Sequence, residues 1–264
     1  MRLVRHGQTD GFTLVELSIA LVVIGLVTAV GLAIYRPAAE TKRGMVAVIF
    51  QKQVEQALFN FALTHHRLPC ADTTGDGYEA TNCQDDNAAR TGAVPYATLG
   101  IISNGLSTGN INTSQNIIYG VYRKSNSNPV YDADLAVIKE RTGNAIDSTS
   151  YQDINDFRQA LINAESATVE KTQVYVTGDG YTTSDENCLN NVVANAAFYL
   201  ASTGAEDMDG DGNPFDGVNV NLKKDGSGSQ CFASPTRLHD AGYDDFVQGV
   251  SFNGLLGFLN QNHK

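Results

Sequence analysis

The sequence predicts an α+β fold. A long N-terminal helix, half transmembrane and half amphipathic, packs on a head built from an antiparallel β-sheet and long disulfide-pinned loops. Three observations predict it: an apolar run over residues 11–35 that continues as a helical-period stripe to about His66, a mixture of short strand-like runs and one amphipathic helix beyond, and an even set of cysteines around two Asp/Gly-rich loops. The 264 residues divide accordingly into a short positive segment at 1–11, a spanning helix at 12–36, its amphipathic continuation at 37–67 and a single head at 68–264.

The first helix begins after Gly11 with 24 residues, through Tyr35, that are almost all apolar or small and include one acid, Glu16. At about 1.5 Å per residue such a helix is about 36 Å long, enough for a hydrocarbon core of about 30 Å. A carboxylate so early in a membrane span costs about 2.5–3.5 kcal/mol even on lenient insertion scales. An acid there needs a partner. Arg2 and Arg5 form the positive flank that keeps the leader cytoplasmic and sends the chain beyond Tyr35 across the membrane. Past Pro37, which would kink the helix or mark its exit, Met45, Val48, Ile49, Val54, Ala57, Leu58, Phe61 and Ala62 recur at helical spacing. The helix should stop near His66, ahead of Leu68-Pro69.

A short positive leader, a Gly, then Phe12-Thr13-Leu14-Val15-Glu16 and a long apolar helix resemble the N-terminus of type IV pilins and type II secretion pseudopilins, over roughly residues 1–35. The resemblance implies that a prepilin peptidase cuts between Gly11 and Phe12, removing the leader, and methylates the new terminal Phe12. It implies that Glu16 neutralises the N-terminal ammonium of a neighbouring subunit inside the filament, where two buried charges in register make a pair and either alone is costly. The implied partners are other pilin or pseudopilin subunits, the prepilin peptidase and the bacterial inner membrane. The chain is then single-pass with its head outside the cytoplasm before it enters a periplasmic or extracellular filament. The implied role is structural rather than enzymatic: a minor type IV pilin acting in assembly initiation or as an adhesive tip. The alternatives are a minor pseudopilin of a secretion system and a membrane-anchored binding module. A head of about 200 residues would crowd a helical lattice, which favours a minor position.

The leader also contains Leu3-Val4-Arg5-His6-Gly7-Gln8-Thr9, similar to the phosphohistidine segment of histidine phosphatases. That chemistry needs a second histidine, further arginines and an α/β domain directly behind the motif. A membrane-length helix follows instead, and so short a match carries little weight by itself.

Charge supports an outward-facing head. Of 18 Lys+Arg and 29 Asp+Glu, 11 basic and 25 acidic residues lie in 68–264. Such a surface repels phosphate backbones, so direct nucleic-acid binding is not expected. Cys70, Cys83, Cys188 and Cys231 have no C-x-x-C spacing, against zinc or a redox dithiol, and in an oxidising compartment they should pair. Three pairings are possible; Cys70–Cys83 with Cys188–Cys231 is favoured because each pair brackets one Asp/Gly-rich loop. Each such closure stabilises by about 3–4 kcal/mol.

Within the head, residues 69–116 read as loops and 117–123 and 130–138 as strands. A helix is expected over 153–165, with Ile154, Phe157, Leu161 and Ile162 as its buried stripe. Further strands are expected at 173–177, 195–202 and 248–252, while 192–201 fits helix or strand. No proline-rich or low-complexity linker divides the head.

Two loops concentrate oxygen donors. Asp207, Asp209, Asp211 and Asn213 alternate with Gly210 and Gly212 and are followed by Asp216, the first half of a calcium-loop pattern. Calcium takes six to eight hard oxygens, and closely spaced carboxylates supply them while losing their mutual repulsion. The twelfth position is Val218 instead of the bidentate Glu of an EF-hand, so any cage is of another kind. The second loop, Asp72 to Glu79, fits calcium less well than a Gly-rich turn held by a Cys70–Cys83 bridge. No nucleophile–base motif stands out, and Asp244-Asp245 reads as a surface pair.

Overall fold

The computed structural model describes residues 13–85, 88–101, 117–142, 153–178, 188, 191–204 and 207–262, with the backbone alone over 30–46 of the first helix. The chain forms two compact units, residues 1–42 and 43–264. Helix α1 (Leu14–His65) contributes to both.

In the first unit Pro37 does not end the helix. The membrane half expected over 12–36 is not shown as an apolar span. Its described side chains run from Thr13 to Ala29 and include Glu16. Among the described residues no helix is long and apolar enough to cross a membrane. From Leu14 to Val27 the large apolar side chains are more than half exposed.

In the second unit the amphipathic stripe is buried as its period requires: Val54, Leu58 and Ala62 lose all contact with solvent and Phe61 nearly all. Ile49 does not, remaining 59% exposed. The helix ends where His66 takes a left-handed φ of 53° and its N–H donates to the Ala62 carbonyl, a non-glycine C-cap of the αL type. Arg67 lies over the Phe61 ring and Phe61 stacks on His65, so the last turn is packed as well as capped.

The main sheet has the order β1-β2-β7-β9, all antiparallel. Its strands are β1 (Thr91–Ala93), β2 (Ile117–Val121), β7 (Phe198–Ser202) and β9 (Phe246–Val250). The two central strands, β2 and β7, are buried along their whole length. The C-terminal half of α1 shares their core. Gln51 Nε2 donates to Ser202 Oγ and to the Phe246 carbonyl, and Phe59 meets Phe198 edge-on. A second sheet, in the order β6-β5-β8, joins β6 (Val192–Asn195), β5 (Tyr175–Thr177) and β8 (Cys231–Phe232). The β5–β8 pair is parallel, an addition to the expected antiparallel sheet.

Other elements differ from their sequence reading for local reasons. The strand expected at 130–138 is a 3-10 turn (Pro129–Tyr131) followed by the two-residue β4 (Ala133–Asp134), which pairs with β3 (Arg123–Lys124). There Asp132 and Asp134 accept hydrogen bonds from the backbone N–H groups of Asp134 and Ala136, which compete with a strand ladder. Both acids are buried and matched: Asp134 by Arg123, Asp132 by Arg141 and Lys139. The ambiguous 192–201 run is two strands, β6 and β7.

Helix α2 (Ile154–Ser166) starts from a capping box between Asp153 and Asp156. It buries Ile154, Phe157 and Leu161, but Ile162 faces outward and Ala160 and Ala164 complete the stripe instead. The expected last strand at 248–252 is β9, shifted two residues earlier. Behind it comes an unanticipated helix, α3 (Phe252–Asn262), whose Phe252, Leu255 and Leu259 are buried. Gly254 and Gly257 depress its intrinsic propensity, and packing overrides that.

Candidate functional site

Two groups of residues concentrate chemistry, one in each unit. At the head of α1, Thr13 and Glu16 close a ring of hydrogen bonds. The Thr13 N–H and Oγ1 both donate to Glu16 Oε2, at 3.0 and 2.9 Å, and the Glu16 N–H donates back to Thr13 Oγ1 at 3.3 Å. This is a T-x-x-E capping box, which satisfies two of the amide groups a helix start leaves open. Glu16 is exposed, as are the apolar residues around it. Gly11 and Phe12, between which the cut is expected, lie outside the described residues, as does the whole leader.

In the second unit the loop over 207–217 is folded by its own side chains. Asp207 accepts from the N–H groups of Gly210 and Gly212, at 2.7 and 2.8 Å. Those bonds hold its carboxyl below the usual range, the Gly212 N–H contributing most. Asp209 accepts from the Asp211 and Gly217 N–H groups. Gly210, Gly212 and Gly217 have φ of 72°, 88° and 60°, the left-handed region that a side chain would strain.

The predicted ligands separate into two sets. Carboxylate oxygens of Asp207, Asp209 and Asp216 lie within 4.8 Å of one another. Asp211 is not in this group and accepts from the Asn213 N–H, while Asn213 accepts from the Phe215 N–H and its Nδ2 donates to the Val220 carbonyl.

Asp216 belongs also to a second set, with Asp244 and Asp245, again within 4.8 Å. Asp216 and Asp245 are buried, so the surface reading of Asp244-Asp245 fails for Asp245. The two acids clasp each other's backbone neighbourhood. Asp216 accepts from the Asp244 N–H and Asp245 from the Asp216 N–H, each at 2.9 Å. Asn219 Nδ2 donates to Asp245 at 2.9 Å, and its Oδ1 accepts from the Ala233 N–H. Burial pushes the Asp216 carboxyl up to about 6 against the pull of the Asp244 and Met208 N–H groups, and the Asp244 carboxyl adds to the rise. Burial likewise raises the Asp245 carboxyl well above its ordinary value. No sequence signal distinguished Asp245 from the surface acids; its role comes from the approach of β9 to the loop.

Opposed oxygens around a calcium ion with contacts of about 2.3–2.6 Å stand up to about 5 Å apart. The Asp207, Asp209 and Asp216 oxygens fall inside that limit, so the hard, anionic donor set fits such a cation. A proton or a cation would each relieve the repulsion.

The 72–79 loop is built differently. Asp72 is buried, and its two oxygens accept from the N–H groups of Thr74, Gly75 and Gly77 and from the Thr74 hydroxyl. Glu79 is held by both terminal nitrogens of Arg67 and by the Cys70 N–H. Both acids are consumed in shaping a turn, which the Cys70–Cys83 disulfide closes. Cys188 is bonded to Cys231, and that bridge packs with Tyr175, Val218, Ala233 and Tyr243 in a small core beside the 207–217 loop.

Residues 8–32 match the family model described as the prokaryotic N-terminal methylation motif. That motif is characteristic of type IV pilins and pseudopilins. No curated protein and no solved structure matches the chain.

Proposed function

We propose that the chain is a minor pilin-like subunit of a type IV pilus or related filament, trimmed between Gly11 and Phe12, methylated on Phe12, and acting in assembly initiation or as a tip or adhesive subunit. The observation that carries this reading is Glu16 in the first turn of a helix whose apolar side chains stand exposed, inside the stretch that matches the methylation motif. Such a surface calls for lipid or for other helices, and in either setting a carboxylate needs a cation. The amine freed by trimming, on an adjoining protomer, meets that need.

In this reading residues 12–36 sit in the inner membrane until assembly, 37–67 continue the helix, and the head of 68–264 lies outside the cytoplasm. Replacing Glu16 with Ala should cut incorporation into sheared filaments at least ten-fold while the protein still accumulates in the membrane; an unchanged yield would leave an anchored binding module as the better account. Mass spectrometry of the mature N-terminus reads the trimming and methylation directly. A minor pseudopilin role in secretion shares every one of these steps and differs in the filament it enters.

Calcium at Asp207, Asp209 and Asp216 is the second part of the proposal, supported by the convergence of their carboxylates. Titration of the full chain in detergent with calcium should show binding in the micromolar-to-millimolar range, the span of natural calcium sites of modest affinity. Asp209→Ala should abolish it, whereas Asp211→Ala should leave most of it, because Asp211 stands apart from the converging oxygens.

A further inference from the structure

We propose that Thr13 is a positioning residue, which holds Glu16 in the one orientation that leaves an oxygen free for the amine of a second copy. The inference rests on the filament reading above. Both donors of Thr13 converge on the same atom, Glu16 Oε2. Among the described residues Oε1 takes no hydrogen bond. The arrangement therefore divides the carboxylate: one oxygen is tied to Thr13, and the other takes no bond from any described residue.

Free in solution or lipid, a glutamate samples several rotamers, and ordering it on binding has an entropic cost. The ring of three hydrogen bonds imposes that order before any partner arrives. Preorganisation of this kind strengthens association by removing the ordering cost from the binding step. Thr13 also has a second property that an ordinary N-cap lacks. A cap needs only an acceptor for the Glu16 N–H, which Thr13 Oγ1 is. The hydroxyl hydrogen aimed at Oε2 is surplus to capping and acts on the carboxylate alone. The occupant of the open oxygen is set by the surroundings. Beside exposed Leu14, Val15 and Leu17, a compact ammonium carried on another helix of the same kind can reach it without exposing polar surface.

The test compares Thr13→Val, which keeps the shape and loses the hydroxyl, with Thr13→Ser, which keeps the hydroxyl. Each is made in the full chain in the cells that build the filament, and incorporation is counted per trimmed molecule in the membrane. Valine should lower incorporation about five-fold, the worth of one hydrogen bond, and serine should restore it to the parental level. Thr13→Asp, an equally good cap that cannot donate, should fail as valine does. Parental incorporation with valine overturns the proposal, and so does serine failing alongside valine, since then the methyl group and not the hydroxyl matters. If Glu16→Ala itself leaves incorporation intact, the filament reading falls; if Glu16→Ala abolishes it while Thr13→Val does nothing, only the positioning role falls.

Discussion

At the residue scale, the acids of this chain are distinguished by what surrounds each carboxylate and not by their spacing. Asp72 and Asp207 look alike in sequence, each opening a Gly-containing loop. Asp72 is buried under four hydrogen bonds from its own loop, whereas Asp207 keeps an exposed carboxylate beside Asp209 and Asp216. Asp216 has the most consequence for pH. Its carboxyl, pushed up to about 6 by burial, keeps its proton to higher pH in the folded head than in the unfolded chain. The folded state then binds the extra proton between the two values. Its contribution to stability is fully present below about pH 4 and is lost as pH rises through about 6. Asp245, also raised, acts in the same direction. Urea midpoints should therefore fall as pH climbs from about 4 to 7, and Asp216→Asn should flatten the slope without abolishing it. Calcium at pH 7 should raise the parental midpoint and leave that of Asp209→Ala where it was.

At the element scale, helices with a local start signal and a clean apolar period were legible, and short strands were not. Helix α2 begins one residue after the predicted position because Asp153 is its cap and Asp156 closes the box. Asp153→Ala should cost about 1 kcal/mol in a denaturation curve. The buried half of α1 carries more. Leu58 has no exposed surface and sits in the main core, so Leu58→Ala should destabilise the head by about 2–5 kcal/mol, while Ile49→Ala, exposed, should change it little. The strand expected at 130–138 failed because Asp132 and Asp134 are claimed by buried arginines. Alternation was present in the sequence, but those partners lie 7 to 11 residues away in chain order. Helix α3 was hidden by two glycines and emerges because Phe252, Leu255 and Leu259 find the core.

At the scale of the whole molecule, each of the two disulfides closes a segment that contains one acid-bearing loop. Cys70–Cys83 closes a short loop, and Cys188–Cys231 joins segments 43 residues apart, tying β8 to the small core that supports Val218 behind the acid loop. Replacing both Cys188 and Cys231 with Ala should lower stability by about 2–5 kcal/mol and weaken calcium binding with it, readable by thermal melts with and without the ion.

By itself the sequence pointed to the long first helix with Glu16 near its start, to the amphipathic α2 by its apolar period, and to the cysteine bridges as the favoured of three pairings. The helices depend on residues within a few turns of each other, and the bridges on which cysteines flank the same acidic stretch. Only the tertiary structure decided the sheet order β1-β2-β7-β9, the parallel β5–β8 pair and the meeting of Asp216 with Asp245. That meeting joins backbone and carboxylate 29 residues apart, and no local period encodes it. It exists because β9 must pair with β7, and the pairing brings Asp245 against the loop residues Asp216 and Asn219, which its own neighbours in sequence give no sign of.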